Sequence, residues 1–128
     1  MNTCAAASLP PPVPDGSFGT AMKASRSGGN IDLTWDVATC SGADYHVLYG
    51  SLASLPSYTI SGAVCDLGAS GAQTWPGVPA GSLWFVLVSD DDATTEGSWG
   101  SATSGPRGGT SASNLCSAAS RSNAGTCP

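Results

Sequence analysis

Along the middle of the chain, apolar residues recur at every second position. Ile31, Leu33 and Trp35 alternate with Asp32, Thr34 and Asp36, the period of a half-buried strand. Tyr45, Val47 and Tyr49 alternate with His46 and Leu48 until Gly50 interrupts the run. Leu83–Ser89 opens on a continuous stretch, Leu-Trp-Phe-Val-Leu-Val, too short for an ordinary helix and suited to a central strand. Weaker segments complete the set: Ala21–Ser25 ahead of a Ser27-Gly-Gly-Asn30 turn, a short edge at Tyr58–Ile60, Gln73–Val78, and Trp99–Thr103. Proline cannot donate to a ladder, so Pro76 assigns Gln73–Val78 to an edge or a strand end. Seven short strands over residues 17–105 predict an all-β antiparallel sandwich.

The flanks lack this alternation. Residues 1–16 are Ala-rich and then Pro-rich (Leu9-Pro-Pro-Pro-Val-Pro14), a composition for a stiff spacer or docking strap. Residues 106–128 are rich in Gly, Ser, Ala and Asn, with Leu115 the single large apolar residue. Both are expected as extended tails around one domain, because 128 residues, 41% of them hydrophobic, make one core but hardly two.

Composition narrows the function classes. Only 10% of residues are charged, and Gly (17) and Pro (9) are abundant, which argues against a helical bundle. The net charge is −5, and Lys23, Arg26, Arg107 and Arg121 are scattered, so no basic stripe exists to meet a nucleic acid. No apolar run approaches the ~20 residues of a membrane-spanning helix. Met1–Pro12 has neither the basic region nor the apolar stretch of a signal peptide. If the protein is exported, the chain is expected to be its mature form or an expressed piece of it.

Export is inferred from the cysteines. Cys4, Cys40, Cys65, Cys116 and Cys127 include no C-x-x-C pair, and His46 is the single histidine, so disulfides are favoured over zinc. Omitting one of the five and pairing the rest in three ways allows fifteen arrangements. The expected one joins Cys40 to Cys65 inside the domain and Cys116 to Cys127 in the C-terminal tail. A bridge from Cys4 to a tail cysteine, with another left over, is the alternative. Either way an odd cysteine points to a bond between molecules or a free thiol, with Cys4 the first candidate.

Several ordered motifs resemble fibronectin type III domains. The Ile31-x-Leu33-x-Trp35 strand is similar to that family's second strand, and Tyr45-x-Val47-x-Tyr49 to its third. Val78-Pro-Ala-Gly81 followed by Leu83-Trp84-x-Val86-x-Val88 resembles its L-x-P-G-T-x-Y-x-x-x-V corner, and Glu96-Gly-Ser-Trp-Gly100 falls where its last strand begins. Trp84 departs from the pattern, standing where the corner tyrosine would be, so an indole N–H must find the acceptor there. The cysteines and tails are also foreign to animal versions and look more like modules of secreted bacterial proteins. The resemblance implies a seven-stranded Ig/fibronectin type III-like sandwich in an extracellular setting, and no particular activity.

Candidate sites are few. His46 falls opposite Tyr45 and Val47 in the period-two pattern, which predicts a surface or inter-subunit histidine; no local context supplies a triad. Asp90, Asp91, Asp92 and Glu96 form the densest carboxylate cluster, a weak metal candidate without EF-hand spacing and without a glycosidase arrangement. Trp75 and Trp99 are the indoles expected at the surface, as a platform for sugar rings or protein. No cofactor is indicated. These features predict a non-catalytic structural or adhesive module, with self-association or other extracellular proteins as partners, its tails adding to exposed strand edges. The alternative is an accessory carbohydrate-binding module of a secreted hydrolase, with polysaccharide as its partner.

Overall fold

The computed structural model describes residues 9–55, 57–103 and 105–127. They form an all-β sandwich of two main sheets. Strands β1 (Lys23–Ser27), β2 (Asn30–Thr34) and β5 (Ala72–Trp75) make an antiparallel sheet in the order β1-β2-β5. The second, mixed sheet contains β3 (Asp44–Ser51), β4 (Gly62–Val64), β6 (Leu83–Asp90), β7 (Thr95–Glu96) and β10 (Ser120–Arg121), in the order β10-β7-β6-β3-β4. A small hairpin of β8 (Ser101–Ala102) and β9 (Gly105–Pro106) stands apart.

Local chemistry explains the boundaries. Gly28-Gly29 closes the β1–β2 hairpin, with Gly28 at φ 62°, where a side chain would be strained. β5 stops at Trp75, immediately before Pro76. β6 is central, and its full-length pairing with β3 sets Tyr45, Val47 and Tyr49 beside Ser89, Leu87 and Phe85 on one face. That face meets the three-stranded sheet in a core of Leu33, Trp35, Tyr45, Val47, Leu67, Trp75 and Leu87. The Trp75 ring lies 5.1 Å from Tyr49 and 5.5 Å from Phe85.

The opposite face of the five-stranded sheet is also covered. Leu48, Trp84, Val88 and Trp99 form a second core there, joined by Tyr58, Ile60 and Leu115. Burial on both sides accounts for the unbroken apolar run of β6. The Trp84 indole N–H donates to the Ser54 hydroxyl at 3.1 Å, a side-chain acceptor in place of a backbone one.

Three expectations about elements are corrected. Tyr58–Ile60 is no strand; Tyr58 instead packs edge-on against Trp84 at 5.3 Å, and the next strand begins at Gly62. Trp99–Thr103 yields only the two residues of β8, outside both main sheets. Residues 106–128, expected as a tail, contribute β10, which runs parallel to β7. Among the described residues there are ten short strands rather than seven.

Candidate functional site

His46 lies on the second-core face of β3, and the structure buries it completely. Its Nδ1 is 2.6 Å from Asp90 Oδ2, at the end of β6, and its Nε2 is 2.9 Å from Glu96 Oε1, on β7. Register dictates the meeting: His46 pairs with Val88, Asp44 with Asp90, and Asp90 with Glu96. Residues two apart on adjacent strands share a face.

Glu96, fully buried, is saturated with donors. Besides His46 it accepts from the Trp99 indole N–H at 3.0 Å, the Ser113 N–H at 2.7 Å and the Ser113 hydroxyl at 2.8 Å. Burial alone would raise its pKa, but these hydrogen bonds outweigh it and hold the carboxyl below its ordinary value. For His46, burial opposes the charge, yet the hydrogen bonds and charges of Asp90 and Glu96 prevail and lift the pKa to about 9. Both ring nitrogens face carboxylate oxygens, so both must donate, and the ring is an imidazolium. Such a ring has no lone pair with which to take a proton or bind a metal. The cluster is therefore a clamp, tying β3, β6, β7 and the 113–121 segment together.

A second cation completes this face. The Arg121 guanidinium sits 4.2 Å over the Trp99 ring, a cation–π contact. Its nitrogens are buried without a hydrogen-bond partner among the described residues. Burial lowers its pKa against the opposing pull of the Glu96 charge.

The carboxylate-rich loop is divided between two jobs. Glu96 points inward to the clamp. Asp91 accepts from the Ala93 and Thr95 N–H groups at 2.9 and 3.0 Å and shapes the turn. Asp90 and Asp92 instead gather with Asp44, their oxygens within 4.8 Å of one another. Asp44 accepts from the Gly68 N–H, and Asp90 from the Asp92 N–H, both at 2.8 Å. Burial, together with the charges of Asp90 and Asp66, pushes the Asp44 pKa up. Of the four expected carboxylates, then, only Asp90 and Asp92 share a cluster that could face a cation, and turn hydrogen bonds account for its shape.

The surface roles expected for His46, Trp75 and Trp99 are corrected. Trp75 points into the inter-sheet core and is 2% exposed, while Trp99 is 6% exposed under Arg121. The reason is common to His46 and Trp99: the C-terminal stretch covers the face that the alternation assigns to solvent. Asp44, Ser113 and Arg121 were not anticipated. Asp44 carried a signal, being two residues from His46 on the same strand face; Ser113 and Arg121, in a stretch without periodicity, carried none.

The cysteine pairing is corrected as well. Cys40 is bonded to Cys127 and Cys65 to Cys116, so each bridge joins the body to the C-terminal stretch. Cys4 lies outside the described residues. No helix among the described residues is long and apolar enough to cross a membrane. Compared with known proteins, the chain matches no family, no curated sequence and no solved structure.

Proposed function

We propose that this chain is a non-catalytic, secreted module of structural or adhesive type, a subunit of an extracellular assembly held by tail packing and by a disulfide between copies. The observation that carries the reading is the cysteine arithmetic. Two bridges within the fold use four of five cysteines, leaving Cys4 for a bond to a neighbour. Disulfides are at home in oxidising compartments, and a sparsely charged surface stapled at both bridges suits durable extracellular material.

A fibronectin type III-like identity belongs to the same proposal. What supports it is a likeness of strand order: β1-β2-β5, and β7-β6-β3-β4 once the added β10 is set aside, resemble the A-B-E and G-F-C-C′ arrangement of such sandwiches. A sugar platform on Trp75 and Trp99 has lost its support with their burial.

Native mass spectrometry of the non-reduced protein tests the reading. Discrete oligomers or polymers are expected, with the covalent links lost in Cys4→Ser. A monomer at every concentration, oxidised or reduced, overturns it.

A further inference from the structure

The side of the sandwich between β1 and β6 lacks a strand. Leu52 N–H bonds to Ser82 O, and Gly97 N–H to Ser89 O. These two bonds set the phase of β6: its odd-numbered residues turn their N–H and C=O groups away from β3. Ser89 and Asp91 find partners in Gly97 and Thr95. At Phe85 and Leu87, however, these groups have no partner among the described residues. The chain leaves the edge too early, since Gly100, at φ 98°, turns it into the β8–β9 hairpin.

The facing sheet repeats the deficit. Ala24 and Arg26 pair with Leu33 and Ile31 and share their inward direction, yet both are exposed, as is all of β1. Between the two edges lies a groove of about 640 Å³, lined by Phe85, Leu87, Ala21, Met22, Trp99 and Arg107 together with the strap. The strap lines this groove at Pro12, Val13 and Pro14 without a backbone bond to Phe85 or Leu87 among the described residues, and its two prolines have no N–H to give. Unpaired strand edges are templates for strand addition.

We propose that this groove receives residues Met1–Ser8 of a second copy, added as an extended strand along β6; this rests on the assembly reading above and names its joint. The strap supplies the geometry. Leu9 lines one cavity with Asp90, Asp91 and Thr126, whereas Pro12–Pro14 line the groove with Phe85 and Leu87. From Pro14 back to Leu9 the strap thus runs out of the groove and toward the Asp90 end of β6. Met1-Asn-Thr-Cys-Ala-Ala-Ala-Ser8 has no charged side chain and no proline, and extended it spans about 26 Å, enough to pair across Phe85–Leu87. Its small Ala side chains fit between two sheet edges, and Cys4 is carried to the joint.

The test uses the full chain in a Cys4→Ser background, so that covalent links do not contribute. Ala6→Pro with Ala7→Pro removes one strand donor in each phase of the segment. In sedimentation velocity the parent is expected to assemble and the double-proline variant to stay monomeric. A synthetic peptide of residues 1–8, also Cys4→Ser, is then expected to slow amide hydrogen exchange at Phe85 and Leu87 in that variant by on the order of tenfold. Ala21→Asp, at an exposed position on the groove wall, should abolish that protection while unfolding stays cooperative. Assembly unchanged by the two prolines, or exchange at Phe85 and Leu87 unaffected by peptide, overturns the groove proposal and leaves the assembly reading standing.

Discussion

At the scale of single residues, the clamp around His46 governs the response to pH and to substitution. Removing the imidazolium leaves Asp90 and Glu96 with no cation between them, and Glu96 is wholly buried. Breaking a buried pair by deleting one partner costs about 3–5 kcal/mol. His46→Ala should lose that much in urea unfolding, and His46→Gln, which keeps hydrogen bonding without charge, should lose less. The pH dependence follows from two opposite shifts. The His46 pKa rises from 6.5 to about 9 on folding, so its contribution is complete below 6.5 and disappears as pH climbs through 9. A shift of that size is worth on the order of 3 kcal/mol. The Glu96 pKa is depressed from 4.5, so its contribution is present above 4.5 and fades as pH falls through the lower native value. From these two groups stability should be highest between pH 4.5 and 6.5, and the alkaline loss through pH 9 should vanish in His46→Gln. The raised Asp44 carboxyl adds a separate loss as pH rises past its titration. Unfolding midpoints across pH 4–10, parent against variant, read this directly.

At the scale of elements, the two ends of the chain behave as parts of the sandwich. Pro10, Pro11 and Pro14 are buried, and the Ser89 hydroxyl donates to the Pro11 carbonyl. Gly125 lies against the backbone of Pro10 and Pro11 so closely that a β-carbon there would collide with main-chain atoms. Gly125→Val should therefore pry the C-terminal stretch off the strap, with a cost of about 1–3 kcal/mol and faster proteolysis of residues 9–15. Gly109→Ala offers a comparison, since open space surrounds it and only its φ of 74° opposes the change.

The same elements show what a sequence reveals. β2, β3 and β6 were legible because alternation, or an unbroken apolar run, is itself the signature of burial on one face or two. Tyr58 and Ile60 misled because an aromatic and a β-branched residue can fill a core from a loop. His46 was misread because period two reports which residues share a face, not what covers that face. The cover comes from a Gly/Ser/Ala stretch fastened by Ser113, Leu115, Arg121 and two bridges. None of these has a periodic signal, and spacing does not encode disulfide partners.

Over the whole molecule, the bridges enclose sequence separations of 87 and 51 residues. Loops of that size imply stabilisation of about 4 kcal/mol each in the chain-entropy account. Cys65→Ser with Cys116→Ser should lower stability by that order in calorimetry and free the 113–121 segment. Exchange at the Glu96 and Trp99 amides should then accelerate together, because the clamp loses Ser113 when the segment leaves.

The parallel pairing of β10 with β7 has a consequence in time. Strand β7 meets a partner more than twenty residues downstream, and the second core waits for Leu115. A chain released from its N-terminus can collapse the inter-sheet core early, but the His46 clamp closes only once residues 113–121 have emerged. Until then Glu96 lacks its Ser113 donors, and the second core lacks Leu115. Long-range pairings of this kind form late and slowly. A chain that still lacks residues 113–121 thus keeps one face of its larger sheet open, and it hardens into its final form only when they pack.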